Sequence, residues 1–221
     1  MSDAAIPFAW KEVRWIEASA TSDAVLNLRD ALLAAEGPAP GPALRPWLSH
    51  AFMRSGADDA TILEFALKIE QLGAAFYPEA ERLGASAQAR RVAGLLGAHE
   101  QTHVDQLFDV LGLAGSGRRP QHGFSFRWTG ARGFLSIAVA IEALSAATYE
   151  VARTFLVQAE ARLVARRLEI LEAHHELLVE KLVEVEQEPD GPPCRQNVGL
   201  AFRTARPQRS LVREIQSIGE K

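Results

Sequence analysis

Four long stretches of the chain space their apolar residues three and four positions apart, the repeat of one face of an α-helix. They run over roughly 60–83, 86–112, 132–157 and 159–187. Leu63, Ala66, Leu67, Ala74 and Tyr77 line the first, and Leu96, Leu107 and Val110 the second. Leu135, Val139, Ala146 and Tyr149 line the third, and Leu168, Val179 and Leu182 the fourth. Each stripe is apolar except where a glutamate or histidine interrupts it. Almost nothing joins the first two helices around Gly84, or the last two around Gln158, so each pair should fold back as an antiparallel hairpin. Between the hairpins lies GLAGSGRRPQHGFSFRWTGA, unusually long for a loop in a compact domain. At about 3.3 Å per residue it reaches roughly 60 Å, whereas a helix of about 25 residues is roughly 37 Å long. The pattern therefore predicts an all-α fold, an antiparallel four-helix bundle with one long crossover.

The flanks read differently. Residues 1–59 form an N-terminal arm with short helices, 60–187 the bundle and 188–221 a C-terminal tail. In the arm, Ser22 can cap a helix to about Glu36, with Val25, Leu26, Leu28, Leu32 and Leu33 as its stripe and Gly37-Pro38 as its stop. GPAPGP (37–42) reads as a linker, and Pro46 as the opening of a short turn through Trp47 and Phe52. Asp58 or Asp59 can cap the first long helix. FSFRW (124–128) reads as an apolar strap holding the crossover to the bundle. PDGPP breaks the last helix, and the irregular tail beyond carries Arg195, Arg203, Arg206, Arg209 and Arg213, with a short helix near 209–218.

Composition narrows the chemistry. With 48% apolar residues the 221-residue chain can bury a real core, and its net charge of −4 argues against nucleic acid as a partner. Cys194 is the single cysteine, so neither an internal disulfide nor a four-cysteine metal site can be built. MSDAAIPFAWKEVRW lacks a basic segment followed by an apolar one, and no membrane span is read; the expectation is a cytoplasmic protein.

The residues that interrupt the stripes form a duplicated set. Glu70 and Glu142 stand alone; Glu100 and His103 form one Glu-x-x-His motif, and Glu172 and His175 another. Each Glu-x-x-His begins 30 residues after its lone glutamate, and every member of the second set follows its partner by 72 residues. Positions i and i+3 project from one helix face, so four facing helices would gather four carboxylates and two imidazoles at one centre. Four ionised glutamates in an apolar core would repel, and each unpaired polar group costs on the order of 2–7 kcal/mol. Two divalent cations cancel the four charges; two trivalent ions with one bridging oxide are again neutral, so a two-electron oxidation accumulates no buried charge. Oxygen and imidazole donors without thiolate suit iron or manganese.

The likeness of the halves goes further. EQLGAAFY (70–77) matches EALSAATY (142–149), and the small pairs Gly73/Ser145 and Ala74/Ala146 leave room near the metals. A pseudo-twofold axis should relate the halves. Tyr77 and Tyr149 share the 72-residue offset and lie about 10 Å along the face from their own glutamates. They are read as tyrosines that hydrogen-bond a ligand on a neighbouring helix or pass electrons, or as core residues with a satisfied hydroxyl. His99 and His174 correspond to Leu171 and Thr102, fail the offset, and read as partly exposed or capping. His99 with His103 is also an i, i+4 pair suited to an adventitious surface metal. His50 and His122 sit in irregular stretches with nothing to recruit them, and Glu64, off the face of Glu70 with Ser136 as counterpart, reads as a solvated residue.

On these residues the chain resembles the ferritin-like superfamily. It is similar to the ferritin-like domain proteins that include stress- and desiccation-related members, more than to cage ferritins. The carrying segments are ILEFALKIEQLGAAFYPEA, LLGAHEQTHVDQL, FSFRW, FLSIAVAIEALSAATYEVA and EILEAHHELLVEKL, over about 60–186. The resemblance implies Glu70, Glu100, His103, Glu142, Glu172 and His175 as ligands of two iron ions, alternatively manganese and iron, or manganese. Many members of that group carry export signals, and none is read here; cage ferritins lack a 60-residue arm ahead of the bundle, which argues against a hollow storage shell. Similar sites serve iron oxidation, peroxide reduction, desaturation, hydroxylation and N-oxygenation. The leading expectation is activation of O2 or peroxide for two-electron oxidation of an unidentified small-molecule substrate, with an external electron donor. The alternatives are ferroxidation, with Fe(II) as the substrate, in metal handling or protection against oxidative stress, and a non-catalytic bundle with a structural metal. A homodimer is compatible with each.

Overall fold

The computed structural model describes residues 13–16, 31, 40–113, 123–126 and 130–187. Its elements are β1 (Val13–Ile16), α1 (Pro40–Ser55), α2 (Asp59–Phe76), a 3-10 turn (Tyr77–Ala80), α3 (Ala87–Leu113), β2 (Gly123–Phe126), α4 (Gly130–Phe155) and α5 (Ala159–Gln187). The last four helices are those predicted from periodicity, and the fold is mostly helical, as expected. The chain divides into two units, Met1–Val179 and Glu180–Lys221. In the second, the described residues are the last turns of α5, where Lys181 pairs with Glu184 at 2.7 Å.

The helix ends follow capping rules. Asp58 caps α2, its Oδ1 accepting the Thr61 amide at 2.8 Å and the Thr61 hydroxyl at 2.6 Å. Asp59, the other residue considered for that role, caps elsewhere. It is buried, and its two oxygens accept the amides of Val157 and Gln158 at 2.8 and 2.7 Å, at the entry to α5. Ser86 Oγ accepts the Ala89 amide at 3.0 Å at the start of α3. After α1, Gly56 adopts φ +58°, and the amides of Gly56 and Ala57 return to the carbonyls of Met53 and Phe52 at 3.2 and 3.3 Å. Glycine reaches that conformation at little cost, so the helix stops there.

Three expectations are corrected. The first bundle helix stops at Phe76 rather than near 83, tightening into the 3-10 turn at Tyr77-Pro78, because Pro78 brings no amide for a further α-helical bond. GPAPGP is not wholly a linker: α1 begins at Pro40, and Pro46 lies inside it. Prolines are tolerated in a first turn whose amides lack helical partners, and the gain from burying Leu44, Leu48 and Phe52 holds the rest. FSFRW is not merely a strap. Its first residues belong to β2, which pairs antiparallel with β1 of the N-terminal arm, Val13 opposite Phe126 and Trp15 opposite Phe124. Arg82 Nη2 donates to the Phe126 carbonyl at 2.8 Å and ties this ribbon to the bundle. The helix expected from Ser22 to Glu36 falls outside the described residues apart from Ala31, which is helical; the crossover's His122 and the arginine-rich tail fall outside them too.

The core lies along the bundle. Phe52 of α1 meets Phe65 and Phe155 edge-on at 6.1 and 5.6 Å, so α1 closes one side of it. Phe76 stacks on Phe134 at 4.8 Å and meets Phe126 of β2 at 5.2 Å. Gly133–Phe155 of α4 is long and apolar enough to cross a membrane by composition, but 89% of its apolar 18-residue window is buried among its neighbours. Such apolarity is what the central helix of a bundle requires.

Candidate metal centre

Five buried acidic or basic positions would be unusual in a core this apolar; here six converge. Glu70 comes from α2, Glu100 and His103 from α3, Glu142 from α4, and Glu172 and His175 from α5. All are sealed from solvent, the glutamates at 0–1% exposure and the histidines at 2–4%. Helical phase puts each inside, since each sits in its helix's apolar stripe.

The distances divide the six into roles. His103 Nδ1 lies 3.1 Å from Glu70 Oε2, 2.7 Å from Glu172 Oε1 and 3.8 Å from Glu100 Oε2. His175 Nδ1 lies 3.0 Å from Glu100 Oε1, 3.5 Å from Glu142 Oε2 and 3.5 Å from Glu172 Oε2. Glu100 and Glu172 thus reach both imidazoles, one oxygen to each, whereas Glu70 neighbours His103 and Glu142 neighbours His175. Atoms of Glu100, His103, Glu172 and His175 gather within 4.8 Å of one another.

Proximity here is not satisfaction. Glu100 Oε1, Glu142 Oε2, both oxygens of Glu172 and His175 Nδ1 are buried without a hydrogen bond. Buried polar atoms are rarely left so, because each forfeits the hydration it gave up. Five such atoms facing one point, all oxygen or nitrogen, fit a pair of hard or intermediate divalent cations.

The tyrosines cross between halves. Tyr149 donates to Glu70 Oε1 at 2.8 Å and Tyr77 donates to Glu142 Oε1. Ser145, read from sequence only as a small residue leaving room, also donates to Glu70 Oε1 at 2.8 Å. Its counterpart Gly73 has a different use: a Cβ there would lie 2.9 Å from Glu100 Cγ and 3.2 Å from Cδ and Oε2. The missing side chain is the space through which Glu100 reaches the centre.

Electrostatics of the metal-free cluster follow from burial and pairing. Burial opposes the charged form of His103, but Glu172, Glu100 and Glu70 outweigh it and push its pKa up to about 12. His175 is likewise raised well above the usual range, burial being outweighed by Glu172, Glu100 and Glu142. Burial raises Glu100 well above the carboxylate range, and the charges of Glu172, Glu70 and Glu142 add to it. Burial also lifts Glu142, to about 7 against the pull of His175. Glu172 ends below the usual range because the two imidazoles overcome its burial. Burial and the nearby glutamates raise both tyrosines, so their hydroxyls remain donors. Two imidazoliums and two protonated glutamates thus neutralise the charge that two divalent ions would.

His99 is half-buried, as expected, but it is neither capping nor merely solvated. Its Nδ1 lies 3.0 Å from Nε2 of His175. Burial, then His175 and His103, lower its pKa to about 4. Comparing the halves discards a residue with no counterpart, which is why this contact cannot be read from the duplication. His174 turns outward to the Ile170 carbonyl at 2.6 Å, His50 is exposed on α1, and Glu64 is half-buried on α2.

A family model described as ferritin-like domain matches residues 58–184, more than half of the chain and all of the cluster. No curated protein and no solved structure matches.

Proposed function

Since the chain belongs to the ferritin-like domain family, we propose that it is a dinuclear metal protein whose centre, filled by iron, uses O2 or peroxide for two-electron oxidation. The observation that carries this is the division of the carboxylates: Glu100 and Glu172 span both imidazoles while Glu70 and Glu142 serve one each. Glu70 and His103 would hold one ion, Glu142 and His175 the other, and Glu100 and Glu172 would lie between them. The bound metals supply electrons and Lewis acidity for reducing the oxidant.

The side chains supply the rest. Four glutamates fix the charge that two ions must match, and the absence of thiolate among them disfavours soft metals. The Tyr149 and Ser145 hydroxyls hold Glu70, and the Tyr77 hydroxyl holds Glu142, in single orientations. The apolar walls exclude bulk water and strengthen every charge interaction inside.

Burial of all six residues favours a second reading beside oxidation of an organic substrate. A centre this enclosed suits reactants as small as O2, peroxide or Fe(II), so ferroxidation with Fe(II) as substrate fits the same geometry. One experiment separates the two. Metal-free protein is loaded with Fe(II) under argon, then exposed to O2 or hydrogen peroxide while oxidant and Fe(II) are followed. A single burst that stops until a reductant and a substrate are added supports the enzyme; continued oxidation of added Fe(II) supports ferroxidation. No binding of iron, or no consumption of either oxidant, would sink both.

A further inference from the structure

The duplication places Leu171 where symmetry asks for a second His99, and the mismatch falls at the centre. His175 turns Nδ1 towards Glu100, Glu142 and Glu172, and Nε2 away from them towards His99 Nδ1. An imidazole that offers Nδ1 to a metal carries its proton on Nε2, and the acceptor of that proton fixes both tautomer and ring direction. The 3.0 Å contact puts His99 Nδ1 where it can accept that proton. The His99 and His175 rings lie nearly parallel, 24° apart with centroids at 5.2 Å, so His99 also limits rotation of the His175 ring.

A second departure from symmetry falls in the opposite sense. Glu70 receives two hydroxyl donors, Tyr149 and Ser145, while Gly73, the counterpart of Ser145, has no hydroxyl to give Glu142. The half at Glu70 thus gains a second hydroxyl donor, and the half at Glu142 an imidazole contact to its histidine.

We propose that His99 is a positioning residue for His175, and that it makes the metal position at Glu142 and His175 distinct from the one at Glu70 and His103. This rests on the dinuclear reading above. The family relationship alone does not supply it, because the difference lies in a residue that the duplicated pattern lacks.

The test is an anaerobic titration of the metal-free full chain with Co(II), followed by visible absorption, for the wild type, His99→Leu and His99→Gln. The wild type is expected to fill two positions. His99→Leu, which copies the residue at the counterpart position, should weaken one step by about 10- to 100-fold and leave the other unchanged. The glutamine oxygen can accept the same proton, so His99→Gln should recover most of that step. His99 is half-buried, and the far-ultraviolet circular dichroism of both metal-free variants should match the wild type. Two unchanged steps in His99→Leu overturn the proposal and leave the dinuclear reading standing. Equal weakening of both steps without recovery in His99→Gln overturns it as well, since that marks general damage. A wild type that binds no Co(II) overturns both.

Discussion

Asp59 holds the amide of Gln158 at 2.7 Å, so the first residue of α2 fixes the chain where it enters α5. The second carboxylate oxygen holds Val157 in the same way. Asp59→Ala would strand both amides, and a lost cap with unsatisfied donors costs about 2–4 kcal/mol. Asp59→Asn keeps one acceptor and should recover part of this. Urea unfolding of the metal-free protein measures both; a loss below about 0.5 kcal/mol for Asp59→Ala would show that the clamp contributes nothing.

Asp58 gives a pH signature. The Thr61 hydroxyl and amide lower its pKa below 3.8, with burial opposing only weakly. A depressed carboxylate stabilises the fold above its unfolded value, and that stability is lost as pH falls through the lower folded value. The stability difference between wild type and Asp58→Ala should be about 1 kcal/mol at neutral pH. It should shrink as pH drops below 3.8, read from denaturant curves across that range.

Gly73→Ala tests the space used by Glu100. An alanine gains about 1 kcal/mol of helix propensity, while a methyl 2.9 Å from Glu100 Cγ forces that side chain aside. Such overpacking costs about 1–3 kcal/mol. The expected result is a metal-free fold within about 2 kcal/mol of wild type but clearly weaker metal binding. Calorimetric titration with Mn(II), beside thermal unfolding of the metal-free form, separates the two effects; unchanged affinity would contradict the role given to the gap.

Tyr77→Phe and Tyr149→Phe remove the cross-bundle donors. Each should weaken metal binding, by up to about 10- to 100-fold. Tyr77→Phe should be the worse, because Glu70 keeps Ser145 when Tyr149 is lost while Glu142 has no such second hydroxyl from Gly73. The reverse order would show that hydroxyl donors do not set the orientation of these carboxylates.

Metal loading should release protons. His103 at about 12, the raised His175 and Glu100, and Glu142 at about 7 all hold protons in the metal-free cluster at neutral pH or just below. Ligands must shed them, so affinity rises with pH, and about four protons leave as two ions enter. Calorimetry in buffers of different ionisation heat counts them. Affinity that falls with rising pH through 7 would contradict the charge balance.

Periodicity made the four bundle helices legible, because a buried helix face must repeat at 3.6 residues whatever it packs on. Duplication made the six clustered side chains legible, because equal spacing on paired helices carries them to one level. The ribbon was not legible. Val13–Ile16 is only four residues long, and its partner lies more than a hundred positions away in a stretch that reads as loop. Asp59 was hidden for a related reason: its partners are backbone amides on another helix, and no spacing within its own helix points to them. His99 was hidden by the same comparison that exposed the rest, since a contact present in only one half cannot appear as a repeat.

The crossing of the tyrosines makes the two halves depend on each other. Each half of the chain lends its hydroxyl to the glutamate of the other, Tyr77 to Glu142 and Tyr149 to Glu70. A solitary half would own a donor without its acceptor and an acceptor without its donor. The centre is therefore whole only when two hairpins of this kind face one another. Because each half is its own stretch of chain, a position can differ from its twin, as His99 differs from Leu171.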